Sequence, residues 1–470
     1  MEDIRAGLKM AWKRPNLEVI WPFIRDKYAV SSKSSCPHLW IINLPYFRAQ
    51  KKHAQSMSVV LMHPSGNNFV RALLQAMQEE DMLAEFNTAI AVDPNSSLLK
   101  LLPENMRNEL LRRSFSVPKD KIHLYPIREV ARLVLPRLGF AGSVRHESGW
   151  ASLDAVFQNF DAAVSRRLPA LTKRKNVTAV YAYEDGALST FKKAKSLGLK
   201  CIYDLPIAYW DTGRRLMNEE AERLPEWSVT LGGGIKDSEK KLERKTQEME
   251  LADIVVGPGD FVLNSLPDWA RKKKLIMSPF GSPDNNNQQP IDHASKLAKR
   301  PLRVLFAGSM GQRKGLGDLF SAVKLLNRKD IELVVMGSLL APMEFYRSQY
   351  QNFVYEAGRP NDQVLALMRS CDVFCLPSIV EGRALVMQEA MSQGLPLVIT
   401  PNTGGADLIK EGVTGFLVPI RNPNAIAEKL AWFADNKDRI PEMGERAREH
   451  ASQYTWKGYA KKIVDDIKAG

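Results

Sequence analysis

The stretch Leu376-Pro377-Ser378-Ile379-Val380-Glu381-Gly382-Arg383-Ala384-Leu385-Val386-Met387-Gln388-Glu389-Ala390-Met391-Ser392-Gln393-Gly394-Leu395-Pro396-Leu397-Val398-Ile399-Thr400 decides the architecture. It opens on the end of an apolar run at 372–376, turns through Glu381 and Gly382, and then repeats apolar residues at helical spacing over 384–393. A second apolar run follows at 397–400. Strand, turn, helix and strand in so few residues make a βαβ unit, and such a unit pairs its strands in parallel.

The same rhythm extends in both directions. Downstream and just upstream, strands are expected at 302–307, 331–336, 353–356 and 416–418, with helices at about 315–327, 361–370 and 423–434. Further upstream, strands are expected at 57–62, 88–92, 177–183, 200–203, 254–256 and 275–277. Helices there are expected after Phe69, over 187–197, and over the charged stretch 237–251. The turn-rich, weakly apolar segment 279–290 interrupts the pattern, as a connection between domains does. The expected fold class is α/β, with two tandem Rossmann-like, doubly wound domains and a cleft between them. The expected division is 57–280, a linker at 281–300, a second domain at 301–455, and a terminal helix at 456–470 returning to the first domain.

With 470 residues and 44% hydrophobic content, the chain has the composition of a large globular protein, which excludes a disordered or disulfide-stapled class. The net charge of +13 is unevenly placed. Residues 1–200 carry 30 Lys and Arg against 18 Asp and Glu, whereas residues 301–470 carry 21 against 19. An acidic partner is therefore expected at the first half. Residues 1–56, with 10 basic and 4 acidic residues and Trp12, Trp21 and Trp40, stand outside the rhythm. They read equally as a basic arm and as a dispensable extension ahead of Met57. Four scattered cysteines suit a reducing compartment, and the pair Cys371 and Cys375 reads as core rather than as metal ligands. No apolar stretch approaches the ~18 residues of a membrane span, and Met1-Glu2-Asp3 opens no signal-peptide core. A cytoplasmic location is expected, with the inner face of the membrane as a surface available to the basic half.

Two anion sites are expected at strand ends. After the turn at Gly382, the backbone N–H groups of Arg383, Ala384, Leu385 and Val386 face outward at a helix start, where a phosphate can bind. Glu381 and Glu389 flank that point. A retaining glycosidase pair needs carboxyls about 5 Å apart, while eight helical residues separate backbones by roughly 12 Å. Accepting hydrogen bonds from a vicinal diol is the better use of each carboxylate. The second anion site is Gly308-Ser309-Met310-Gly311-Gln312-Arg313-Lys314-Gly315, where glycines allow close approach and Arg313 and Lys314 bring charge to a diphosphate. It lacks the Gly-Lys-Ser/Thr of a Walker A loop. In the first half, His63 with Gly66 and Asn67 follows the first strand, and His63 reads as a site residue or as a cap to that strand. Asp204 and Tyr209-Trp210 follow a later strand, the aromatics suiting either a sugar face or packing.

These motifs resemble the retaining family 4 glycosyltransferases (glycosyl transferases group 1), nucleotide-sugar-dependent enzymes of the GT-B fold. The resemblance rests on Glu381 and Glu389, on Glu389-Ala390-Met391 with Gly394 and Pro396, on Asn402-Thr403-Gly404-Gly405, and on Glu411-Gly412-Val413-Thr414-Gly415-Phe416-Leu417-Val418. It implies that the first domain binds the acceptor and the second the nucleotide sugar. It places Glu381 on the donor sugar near its 3-hydroxyl and Glu389 on the ribose. Lys314 matches the family's lysine, while Ser309 stands where an arginine is usual, so Arg313 is taken as its substitute. Gly66 becomes the pivot of a loop closing on the donor, and with no histidine after the strand at 200–203, Asp204 and Tyr209 become the acceptor-side candidates.

The implied catalytic set is Glu381, Arg313 and Lys314. Gly308, Ser309, Gly382, Arg383, Ala384, Leu385, Val386 and Glu389 are implied as donor-binding residues. The implied reaction is hexosyl-type transfer with retention, without an essential metal and without a cofactor beyond the donor, in building a cell-surface polysaccharide or glycolipid. Expected partners are a nucleotide sugar, a carbohydrate or lipid-linked acceptor and an anionic membrane surface; nucleic acid is not expected, because the basic residues form no reading motif. A nucleotide-sugar epimerase and a noncatalytic basic module are the rival functions.

Overall fold

The computed structural model describes residues 57–101, 103–283 and 300–469. The arm at 1–56 and nearly all of the linker expected at 281–300 lie outside the described residues.

Two all-parallel sheets organise the chain. The first has seven strands in the order β3-β2-β1-β4-β5-β6-β7: β1 Val59–Met62, β2 Leu83–Thr88, β3 Ile122–Leu124, β4 Ala179–Tyr183, β5 Lys200–Asp204, β6 Ile254–Gly257 and β7 Lys274–Met277. The second has six in the order β10-β9-β8-β11-β12-β13: β8 Leu302–Ala307, β9 Ile331–Met336, β10 Phe353–Glu356, β11 Val373–Leu376, β12 Leu397–Ile399 and β13 Gly415–Leu417. Central strands such as β1, β4, β6 and β11 are buried at every residue, because helices cover both faces of a parallel sheet. Cys371 and Cys375 are fully buried in the core of the second sheet.

The helices that matter to the site are α1 Asn68–Glu79, α2 Glu104–Leu111, α3 Ile127–Val134, α4 Leu153–Lys175, α5 Trp210–Arg223, α6 Glu239–Leu251, α7 Leu316–Leu326, α8 Leu385–Ser392 and α9 Trp456–Lys468. Side-chain caps start several of them: Asn67 accepts from the Val70 N–H, Ser152 from Ala155, Ser238 from Lys241 and Thr455 from Gly458. α9 buries Tyr459, Ala460, Ile463, Val464 and Ile467, one face of a helix, in the same core as Val70, Leu73, Leu74 and Met77 of α1. The chain thus ends against the first sheet.

The strand expected at 88–92 is corrected to β2, which ends at Thr88, where the 3.1 Å bond from the Ala89 N–H to the Pro64 carbonyl starts a loop. All six residues of Leu83-Ala84-Glu85-Phe86-Asn87-Thr88 are buried, and Glu85 and Asn87 hide the strand from hydrophobic patterning because they are interior polar residues paired with Arg167. The longest element missed by periodicity is α4, whose apolar face runs through Phe160, Val164, Leu168 and Leu171 despite Pro169.

In each sheet the chain reverses its direction of travel once, between β1 and β4 and between β8 and β11. Loops leaving the carboxyl ends of strands flanking such a point diverge and open a crevice. All the strand-end motifs singled out in the sequence lie on these loops or the ones beside them.

Candidate active site

The loops after β8 and β11 are joined directly. The Ile379 N–H donates to the Arg313 carbonyl at 2.9 Å, and Arg313 Nη1 donates to the Val380 carbonyl at 2.9 Å. Asn402 holds the second loop from behind, its Nδ2 donating to the Ile379 carbonyl at 2.8 Å and its own carbonyl accepting from the Glu381 N–H at 3.2 Å. This frame brings Glu381 to both basic residues: Lys314 Nζ lies 2.6 Å and Arg313 Nη1 3.0 Å from Glu381 Oε1. Among the described residues Oε2 has no hydrogen bond, so it is the atom available to a ligand hydroxyl. Glu381 is 8% exposed and Lys314 is largely buried beside it, so their charges interact in a poorly solvated setting with Arg313 at its more open edge.

Two glycines are required by close approach. Gly308, at φ +147°, has the Lys314 Cδ 2.6 Å from where a Cβ would stand, so any side chain there would push the lysine away from Glu381. At Gly382 a Cβ would fall 1.7 Å from the Pro206 carbonyl oxygen. The second loop therefore touches the loop after β5, and the two halves of the molecule meet at the site. Ser309 follows Gly308 and its carbonyl accepts from the Gly311 N–H at 2.9 Å.

Around the second anion site the structure changes several roles. α8 starts at Leu385 rather than Ala384, and the Ala384 N–H is already bonded to the Thr403 carbonyl at 3.1 Å. Among the described residues the N–H groups of Arg383, Leu385 and Val386 at the helix start have no hydrogen-bond partner. The Arg383 side chain is a brace, separate from the backbone N–H that the sequence places at the anion site. It is completely buried, paired with Asp407 at 2.7 Å, bonded to Gln388 Oε1 and the Gly404 carbonyl, and laid over the Tyr454 ring at 4.9 Å. Glu389 is half-buried on α8; burial raises its carboxyl above the ordinary range, against the 3.0 Å bond donated by Asn361.

The first-sheet residues separate into two groups. His63, at the end of β1, is buried against Phe69, Phe157 and Tyr183, with ring centroids 4.7–6.4 Å away. Burial lowers its pKa to about 3, so the ring is neutral, and Nδ1 accepts from the Ser65 N–H at 3.1 Å. Asn67 caps α1, and Gly66 gives room to the Phe115 ring, which lies 2.4 Å from where its Cβ would be.

Asp204 and Tyr209 are likewise corrected from acceptor-side residues to interior ones. Tyr209 is buried, its hydroxyl 3.2 Å from Thr246 Oγ1, and Trp210 Nε1 donates to the same oxygen at 3.0 Å. Asp204 is 2% exposed, with Oδ2 accepting from the Tyr181 hydroxyl at 2.5 Å and Tyr183 and Tyr459 close by. Burial raises its pKa from 3.8 to about 7, the tyrosine bonds opposing that rise.

A carboxyl raised in the folded chain binds a proton that the unfolded chain has lost between about pH 4 and 7. Its stabilising effect is complete below about pH 4 and is lost as the pH climbs through 7. Asp204→Asn keeps an acceptor for the Tyr181 hydroxyl and offers amide hydrogens to the Tyr183 and Tyr459 oxygens beside it. We expect the variant to gain stability over the native chain on moving from pH 5 to pH 8, by up to ~2.6 kcal/mol. Thermal unfolding at the two pH values checks this, and parallel pH dependence in the two proteins would rule it out.

The sequence places Glu184 and Asp185 at the cleft-facing end of β4, and what it misses is the cluster of cations around them. Lys245 Nζ lies 3.4 Å from Glu184 and 3.6 Å from Asp185, Arg244 lies 2.7 Å from Asp185, and Lys241 bridges Asp154 at 2.9 Å and Asp237 at 3.0 Å. The available signal was the spacing of Lys241, Arg244 and Lys245, which puts all three on one face of α6.

Comparison with known proteins follows this geometry. Residues 287–450 match the Glycosyl transferases group 1 family. A D-inositol 3-phosphate glycosyltransferase of Corynebacterium glutamicum is 30% identical over 194 residues, 37% of this chain and 46% of that protein. The chain thus spans about half the length of the curated relatives it matches. Among solved structures, sucrose-phosphate synthase of Thermosynechococcus elongatus overlays with a TM-score of 0.55 at 16% identity, covering 88% of this chain and 98% of that one. Anabaena HepE in complex with UDP overlays at 0.54 and 13%, covering 88% and 100%. The fold is that of the GT-B glycosyltransferases, two α/β domains facing each other.

Proposed function

We propose that this GT-B chain is a retaining, family 4 glycosyltransferase that moves a sugar from a nucleotide-sugar donor to an acceptor hydroxyl. The observation that carries the reading is the placing of Arg313 and Lys314 together on one oxygen of Glu381, at the point where the second sheet reverses. Two cations and one carboxylate leave one positive charge in a poorly solvated crevice. A diphosphate supplies the anion that this excess selects.

With a donor bound, Arg313, Lys314 and the Leu385 and Val386 N–H groups hold the diphosphate, Glu381 accepts from a sugar hydroxyl, and Glu389 accepts from the ribose. The acceptor oxygen forms its bond to the anomeric carbon as the bond from that carbon to the diphosphate breaks. The acceptor proton passes to the leaving phosphate oxygen on the same face, which accounts for retention without a protein base. The negative charge that develops on the diphosphate is met by groups already in place, and such preorganised charge is the largest single contribution in many enzymes. In this reading the cations do what a metal does elsewhere, and no cofactor is required.

The acceptor side is assigned to the rim of the first sheet, where neutral His63 and the Glu184 cluster stand. We assign the acceptor to the carbohydrate or lipid-linked class, in surface polysaccharide or glycolipid synthesis at the cytoplasmic face of a membrane.

HepE was solved with UDP, which makes uridine the first base to test. A panel of UDP, GDP and ADP sugars followed by thermal unfolding should single out one donor. At a hundredfold excess over its Kd it stabilises by about 2.7 kcal/mol. The same donor should release nucleotide slowly on incubation. Interconversion of the sugar without release would favour an epimerase, and a panel with no shift at all would remove the proposal.

A further inference from the structure

Helix α3 is mounted the wrong way round for a globular protein. A surface helix ordinarily turns its apolar stripe to the core and its charges to water. Here the buried residue is Glu129, 2% exposed, clamped by Arg113 at 3.0 Å and by Arg132 at 2.7 Å. The apolar positions Ile127, Val130 and Val134, which share one face by their spacing, point to solvent, Ile127 being 74% exposed.

The exposed stripe continues past the helix. Leu138 and Phe140 are each 63% exposed, and Trp150 is exposed beneath the Arg128 guanidinium, 5.0 Å from its ring centre. Of the seventeen large apolar side chains exposed among the described residues, nine fall between Met106 and Leu153, so the exposure is concentrated in this one stretch of the chain. Ion pairs hold it together as a unit, Arg137 of the patch reaching Glu109 of α2 at 2.9 Å.

We infer that this face docks on an anionic lipid bilayer, with α3 lying in the plane of the interface. The surrounding charge selects that occupant. Residues 104–153 hold nine Lys and Arg against five Asp and Glu, an excess of four cations once the arginines that pair with Glu129 and Glu109 are counted with them. An apolar stripe rimmed by arginine, with a tryptophan at its edge, matches the acyl boundary and the anionic headgroups of such a surface.

The other occupants meet like charge. A second copy would set the same arginines against one another, and residues 1–56 are themselves basic, 10 to 4. The patch follows β3, the edge strand of the first sheet, and the adjoining loop carries His146, whose Nε2 is 3.2 Å from Asp237 in the charged cluster. Docking would therefore bring the rim of the first sheet beside the headgroups. The inference needs no donor and stands apart from the transfer reaction.

Flotation of the full chain with vesicles tests it. Binding is expected to vesicles containing phosphatidylglycerol, not to phosphatidylcholine alone, and to weaken at high salt. The double variant Ile127→Asp with Phe140→Asp should lower binding about tenfold, since two apolar anchors become charges. Its thermal unfolding should be unchanged, because both side chains are exposed. Leu325→Asp, exposed on α7 of the second sheet, is the control and should bind like the native chain. Equal flotation of the double variant, no binding of the native chain to anionic vesicles, or a native dimer that the double variant converts to monomer would each overturn the inference.

Discussion

Lys314→Ala is expected to lower sugar transfer by about 10²- to 10³-fold, the cost of removing one preorganised partner from charge that develops in a transition state. The lysine stem crosses the space left by Gly308 to set Nζ 2.6 Å from Glu381 Oε1. Alanine empties that path and leaves Glu381 with Arg313 alone, at 3.0 Å. The fold should survive, because the loop is tied by backbone bonds from Ile379 and Val380 to the Arg313 carbonyl that do not involve the lysine side chain. Lys314→Arg separates charge from shape. Arginine keeps the charge, but its planar fork must fit a slot cut for a single ammonium, so only partial activity is expected. The readout is the split between kcat and KM with the donor found by the panel. Loss confined to KM would make Lys314 a ground-state binder, and turnover near the native rate would dismantle the assigned site.

The strand-end motifs of the second sheet were legible because chemistry and architecture coincide there. Glycines, a basic pair and a carboxylate that recur at the ends of apolar strands have few uses other than holding a ligand, and the loops that carry them are short enough for spacing to fix their place. At Arg383 spacing places the backbone N–H at the helix start but says nothing of the side chain, which turns back to Asp407 and Tyr454, far along the chain. Asp204 and Tyr209 failed for a related reason. A polar residue at a strand end reads as a cleft residue, but the return of α9 covers Asp204 with Tyr459, and Tyr209 finds Thr246 on α6. β2 was displaced because Glu85 and Asn87 look like surface residues until Arg167, far along the chain on α4, is seen to pair with both. Hydrophobic pattern cannot report a buried polar pair.

The segment between β5 and β6 was the least legible, and it carries the largest stability prediction. α5 and residues 225–236 leave the first sheet and pack on the second. Trp227, 2% exposed, enters the core of the second sheet, with ring centroids 5.0 Å from Phe345, 5.8 Å from Phe320 and 6.1 Å from Tyr346. Arg223 forms a two-point pair with Asp318 at 2.7 and 2.8 Å, and the fully buried Glu220 accepts from Gln312 at 2.8 Å and from Arg421. Ala208, Leu216, Met217 and Leu231 then close over Ile379 and Val380, the residues just before Glu381. The segment is therefore both the bolt between the halves and the back wall of the site.

Trp227→Ala should cost about 3–5 kcal/mol, as for other large aromatics truncated in a core. Because the lost contacts span the halves, calorimetry should show more than a lower Tm: the single native transition should split, the second sheet melting first. Trp269→Ala is the control, an exposed tryptophan on the first sheet's side whose loss should change stability by no more than about 0.5 kcal/mol. If Trp227→Ala melts in one transition shifted no further than the control, the halves are coupled elsewhere and the wall behind Glu381 does not depend on this segment.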